Sequence, residues 1–135
     1  MVKKRLSFFK LSKLVNGKNY KDLVVWQKAM ALVEAVYRVV RLLPADERYV
    51  LGDQIRRSAV SIPSNIAEGN ARGTEKEMIH FLRIAQGSRA ELETQLELSY
   101  RIGYTSEQQI QELIELSNEV GRMLTGLIKT LKSKS

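Results

Sequence analysis

The sequence predicts an all-α protein, an antiparallel up-and-down four-helix bundle, on three observations. Four segments carry apolar residues at helical spacing. Proline, glycine and capping residues punctuate them. No strand-like alternation competes. Each segment has about 22–28 residues, or roughly 33–42 Å of helix, and the connections are short, as such a bundle requires.

The first helix is expected from Asp22 to Leu43. Asp22 is a good N-cap, because its carboxylate accepts an orphan backbone N–H. Trp26, Met30, Val33, Tyr37 and Val40 form an apolar stripe, and Pro44 ends the helix. The second is expected from Ala45 to Glu68, with the stripe Ile55, Ala59, Ile62 and Ile66. Pro63 lies inside it and predicts a kink, or two shorter helices meeting there. Gly69 is the expected left-handed residue after its end.

The third helix is expected from Glu75 to Ile102, opened by the capping-box pattern Thr74-Glu-Lys-Glu77 and closed by Gly103. Met78, Phe81, Leu82, Ala85, Leu92, Leu96 and Tyr100 supply its apolar face. The fourth is expected from Glu107 to Leu131, opened by Ser106-Glu-Gln-Gln109. Its inward set is Ile110, Leu113, Ile114, Leu124, Leu127, Ile128 and Leu131.

The first segment also carries Leu23, Val24, Val25, Ala29, Leu32, Val36, Val39 and Leu42, so apolar residues cover more than one face. A helix apolar beyond one stripe buries a second face against something. Gly87, Gly121 and Gly126 sit in helix interiors, where glycine costs about 1 kcal/mol relative to alanine. Close helix approach, within or between subunits, is the preferred explanation of that cost, with tolerated sequence drift the alternative. Together these features point to a homo-oligomer.

Composition removes several function classes. The 135 residues suit one domain, and the formal charge is +7. Residues 1–21 hold Lys3, Lys4, Arg5, Lys10, Lys13, Lys18 and Lys21 and no acid; removing these seven from 22 bases leaves 15, matched by 15 acids. The body is therefore neutral, and the chain divides into a basic extension (1–19) and a bundle (20–132). There is no cysteine, which excludes disulfides and thiol chemistry, and a single histidine, His80. No apolar run is long enough to span a membrane. The start Met-Val-Lys-Lys-Arg is like a signal peptide, but Lys10 and Lys13 interrupt the apolar stretch. The expected location is cytoplasmic.

No catalytic or metal constellation assembles. Glu77-Met-Ile-His80 is half a di-iron motif, and one histidine cannot complete it. Ser7-Phe-Phe-Lys10 matches Ser-x-x-Lys without its companion motifs. Gly69-Asn-Ala-Arg-Gly73 lacks the Lys-Ser/Thr of a phosphate loop and reads as a turn. Glu93 and Glu97 share a face, but Arg89 and Arg101 each lie four residues away, as in ordinary surface ion pairs. The expectation is a non-enzyme with no cofactor and no metal. The basic residues Arg56, Arg57, Arg72, Lys76 and Arg83 are candidate phosphate contacts that the second and third helices could gather at one end. Lys3, Lys4, Arg5, Lys10 and Lys13 are auxiliaries, interleaved with Phe8, Phe9, Leu11, Leu14 and Val15.

The stretch Gln54-Ile-Arg-Arg-Ser-Ala-Val-Ser-Ile-Pro-Ser-Asn-Ile-Ala-Glu-Gly69 is specific. With Tyr20-Lys-Asp-Leu-Val-Val-Trp-Gln-Lys-Ala29, Phe81-Leu-Arg-Ile-Ala-Gln-Gly-Ser88 and Glu91-Leu-Glu-Thr-Gln-Leu96, it resembles the four-helix-bundle proteins encoded in intervening sequences of bacterial 23S ribosomal RNA genes. These are often labelled S23 ribosomal proteins. The resemblance covers Tyr20 to Lys132 and implies a left-handed bundle assembled as a ring-like homopentamer, with no established enzyme activity. The segment from Thr105 to Lys129 is also similar to the accessory variability determinant of diversity-generating retroelements, a pentameric bundle that binds nucleic acid and a reverse transcriptase. Residues 1–19 have no counterpart in the family pattern, and Arg89 stands where that pattern more often has an apolar residue. The resulting expectation is a homo-oligomer that binds structured RNA or DNA. An adaptor for a protein such as a reverse transcriptase is the alternative, and a membrane partner is not expected.

Overall fold

The computed structural model describes residues 19–133. A 3-10 turn, Tyr20–Asp22, precedes four helices: α1 (Val24–Val40), α2 (Leu51–Ala71), α3 (Glu75–Ile102) and α4 (Glu107–Lys132). Each helix packs on its neighbour in sequence, and α1 closes against α4, with the α2–α3 seam the most extensive. The described residues contain no strand. The antiparallel four-helix bundle is therefore the observed fold.

The first connection departs from expectation at both ends. The Asn19 side chain accepts a hydrogen bond from Lys21 N at 2.7 Å and caps the 3-10 turn. Asp22 is consumed in that turn, so the cap position of α1 passes to Leu23, which makes no side-chain capping bond. At the far end, the Pro44 carbonyl accepts from Glu47 N at 2.9 Å and Arg48 N at 3.1 Å. That turn, followed by the non-helical Val50, delays α2 to Leu51 rather than Ala45. α2 then continues as one helix through Pro63, which is buried. The two-helix alternative is not taken.

Gly69 does not end α2. It is buried within the helix, and a Cβ there would lie 2.8 Å from Phe81 Cβ and 2.9 Å from Met78 Sδ. Glycine is present because α3 approaches that closely. The left-handed role falls to Gly73 (φ +88°). Gly103 (φ +97°) closes α3 as expected, with Gly103 N donating to Tyr100 O and Tyr104 N to Ser99 O, the two bonds of a Schellman motif. Thr74 caps α3 through Glu77 N at 3.1 Å. Ser106 and Gln109 form a complete capping box on α4.

The core takes one residue set from each helix. The α2 stripe is buried as expected, along with Met78, Leu82, Ala85, Leu92 and Leu96 of α3. α4 contributes Ile110, Leu113, Val120, Leu124 and Leu131, while Ile114, Leu127 and Ile128 are only partly buried. Tyr100, expected to face inward, is exposed. In α1 the buried set is Val25, Ala29, Leu32, Val36 and Val40. The expected stripe is thus the second apolar face. Trp26 and Val33 pack at its margin, Met30 and Tyr37 are exposed, and Val40 alone belongs to the core. Two apolar stripes at helical spacing lie on α1, and only the positions of α2 and α4 decide which one is covered.

Candidate nucleic-acid interface

The basic candidates do not converge. Arg56 and Arg72 are 16 residues apart on α2, hence about 24 Å along its axis. Arg72 and Lys76 sit at the α2–α3 turn, with Arg83 about two turns further along α3. Arg56 and Arg57 lie near the opposite end, beside the α1–α2 connection. Lys3, Lys4, Arg5, Lys10 and Lys13 lie outside the described residues.

Arg56 is largely occupied. It forms an ion pair with Asp53, donates to Arg48 O at 2.7 Å, and places its guanidinium 5.8 Å from the Tyr37 ring centroid and 6.0 Å from that of Tyr49. It is a half-buried post holding two tyrosines and the connection between α1 and α2. Arg57 is exposed beside it. Arg38, Arg41 and Arg48 are also exposed on this edge, as is Tyr49 at 77%. Residues 37–57 therefore carry five arginines against Asp46, Glu47 and Asp53. The signal was available in the sequence as Arg-Tyr and Tyr-Arg pairs on both sides of one turn. The side chains meet only because α1 and α2 are antiparallel neighbours.

The other end is balanced. Arg72 bonds Glu68 at 2.7 Å and lies 5.0 Å from the Phe81 ring centroid. The Glu68 bond raises the Arg72 pKa above its ordinary value, as Glu97 does for exposed Arg101. Lys76 and Arg83 are exposed, with Glu75 and Glu77 close in sequence. His80 is exposed against Phe81. Among the described residues no cluster of three His, Cys, Asp or Glu could hold a metal ion. No described helix is long and apolar enough to cross a membrane.

Arg89 corrects another expectation. It is not half of an ordinary surface pair but the centre of an α3–α4 network. Its Nε donates to Ser117 O at 2.7 Å, Nη1 to Gln86 Oε1 at 2.8 Å and Nη2 to Glu93 Oε2 at 3.0 Å. Ser117 Oγ donates to the same Glu93 oxygen at 2.6 Å. Gln86 Nε2 donates to Gly121 O and to Thr125 Oγ1, each at 3.0 Å. A Cβ at Gly121 would overlap the Arg89 guanidinium. Glu97 with Arg101 is the surface pair expected. Above it, Glu93, Glu97, Glu107, Leu98, Ile110 and Ile114 border an open α3–α4 groove of about 860 Å³.

The long signature in α2 is a packing seam. Ser58 Oγ donates to Gln95 Oε1 at 2.7 Å, the Ser61 and Ser88 hydroxyls hydrogen-bond at 2.8 Å, and Asn65 Nδ2 donates to Ser61 O at 2.8 Å. With Ala59, Ile62, Ile66 and Gly69 buried between these contacts, the string specifies how α2 meets α3. The family model for the 23S rRNA-intervening sequence protein matches residues 21–126. The chain belongs to that family. A crystal structure from Bacteroides thetaiotaomicron, a protein of unknown function from the S23 ribosomal protein family, is similar. It is 29% identical, covers 78% of this chain and 99% of its own, and superposes with a TM-score of 0.73. No curated protein matches this member of the 23S rRNA-intervening sequence family. The matched span holds both the α2–α3 seam and the arginine–tyrosine edge.

Proposed function

We propose that this protein is a non-enzymatic, self-associating bundle that binds structured RNA or DNA. The observation that carries the reading is the α1–α2 edge. There Arg38, Arg41, Arg48 and Arg57 are exposed on the ends of α1 and α2 and their connection, and Arg56 lies against Tyr49, which is 77% exposed. Guanidinium groups neutralise phosphates by counterion release, and an exposed tyrosine offers a face to an unpaired base in a loop or bulge. Arg57 and its exposed neighbours form the primary contact, with Arg56 holding that edge together and Arg72, Lys76 and Arg83 a separate, weaker contact. The family's name, tied to ribosomal RNA, agrees with this reading. Self-association would repeat the edge around an assembly, five copies in the arrangement the resemblance implies, and add avidity without a strongly basic protomer.

The test is a titration of fluorescent structured RNA at several salt concentrations, with the full chain and with residues 20–135. The body alone should bind, and log affinity should fall with log salt by roughly 0.7–0.9 per phosphate neutralised. Affinity that ignores salt, or vanishes with the tail, removes the site from the bundle. A second reading is an adaptor for a nucleic-acid enzyme such as a reverse transcriptase. Exposed Val24, Met30, Leu42 and Val60 favour it. Capture of a polymerase by a protein that binds no RNA would decide for it.

A further inference from the structure

We propose that the α3–α4 groove is the docking site for the chain's own basic N-terminal segment, residues 1–18. The neutral charge of the body conceals a strong local imbalance. Between Glu91 and Glu115 the chain holds six glutamates and one arginine, Arg101. Of these charged residues, Glu93, Glu97, Glu107 and Arg101 line the groove. Glu93, Glu97 and Glu107 stand at its margins. Leu98 is 46% exposed there, beside half-buried Ile114 and the buried side of Ile110. Arg89 occupies Glu93, and Arg101 occupies Glu97. No ion pair engages Glu107 among the described residues. The groove is thus apolar at its base, with two ion-paired glutamates and Glu107, unpaired among the described residues, at its rim, which suits a basic, apolar peptide.

Residues 1–18 have that composition: Lys3, Lys4, Arg5, Lys10, Lys13 and Lys18, no acid, and Leu6, Phe8, Phe9, Leu11, Leu14 and Val15 between them. The connection is long enough. The 3-10 turn after Asn19 packs on α1 and α2, so Asn19 lies at the end of the bundle where α3 begins. The groove opens at Ala90, 15 residues and hence about 22 Å along α3 from Glu75. Crossing one intervening helix adds about 10 Å. Eighteen extended residues reach roughly 60 Å. Tethering also places the segment near the groove at about millimolar effective concentration, so weak contacts suffice. Docking would withhold the tail cations from other anions. It does not depend on the nucleic-acid reading.

The chain has no cysteine, so Ser7→Cys in the full-length protein gives a single site for a nitroxide label. NMR signals of Leu98, Ile110 and Ile114 should be lost by proximity to it, while those of the α1–α2 edge persist. The loss should disappear in about 1 M salt, where the Debye length is about 3 Å. It should disappear too on adding Lys3→Glu, Lys4→Glu and Arg5→Glu, which change none of the described residues. Glu97→Lys with Glu107→Lys should abolish it from the other side. Signal loss at the α1–α2 edge, at no site, or undiminished by charge reversal overturns the proposal. So does loss seen only between copies, when spin-labelled chain is mixed with isotope-labelled chain. No RNA enters the experiment, so failure of RNA binding leaves its outcome unchanged.

Discussion

At the scale of single residues, the glycines separate by what surrounds them. Gly69→Ala must force Phe81 Cβ and Met78 Sδ away from 2.8 and 2.9 Å. Phe81 Cβ is anchored to the α3 backbone, so the seam itself has to open, and overpacking of this kind costs about 1–3 kcal/mol. Gly121→Ala gains about 1 kcal/mol of helix propensity. It also displaces the Arg89 guanidinium from Glu93 and Ser117, and charge-assisted bonds contribute about 1.5–3 kcal/mol. A net loss of about 1 kcal/mol is expected. A Cβ at Gly87 or Gly126 would meet no atom within 4 Å. Gly126→Ala should therefore stabilise an isolated protomer by about 0.5–1 kcal/mol. Urea denaturation of the three variants checks the order. Destabilisation by Gly126→Ala would mean that a second copy covers that face.

At the scale of helices, the termini carry local information that can be removed one bond at a time. Ser106 accepts from Gln109 N, and the Gln109 side chain accepts from Ser106 N, so two orphan donors are satisfied together. Thr74 makes only the first of these bonds at α3. Ser106→Ala should cost about 1–2 kcal/mol and Thr74→Ala about 0.5–1 kcal/mol, within the range for lost caps. Thermal melts should reproduce that ranking, and equal effects would deny the reciprocal bond any separate contribution. α1 has no such cap at Leu23. It is held instead by its buried stripe and by Trp26 edge-on to Tyr20 at 5.3 Å. Hydrogen exchange should accordingly reach the first turn of α1 before that of α4.

For the whole molecule, the distribution of charge matters more than its sum. The α1–α2 edge is basic, the α3–α4 groove is acidic, and the α2–α3 turn is nearly balanced. Arg57→Glu should lower RNA affinity and reduce the salt slope by about 0.7–0.9, the release of one counterion. Arg83→Glu should do so much less, because it is remote from that edge. Arg57 makes no described hydrogen bond or ion pair, so a stability change in Arg57→Glu would contradict its placement. Apolar surface is distributed as well, and Met30, Tyr37 and Val60 stay exposed on the protomer. Met30→Glu combined with Val60→Glu should shift the species seen by sedimentation towards the monomer while leaving helix content intact.

What was legible in the sequence was whatever neighbouring turns decide. Helix number, the caps at Thr74 and Ser106, and the stop at Gly103 follow from bonds spanning at most five residues, whereas α1 ends at Val40, short of the Pro44 stop. The α2 stripe was legible too, because that helix has one apolar face. The basic candidates were legible as residue types but not as a site. Tertiary structure decided the rest. It selected the Val25–Val40 stripe of α1 over its apolar rival, gave Gly69 to a helix contact instead of a turn, and drew Arg89 into a network with Ser117, 28 residues away. It also separated Arg72 from Arg56 and brought Arg56 to Tyr37 and Tyr49. Periodicity and capping act within a helix and are written locally, whereas burial and convergence depend on which helices become neighbours.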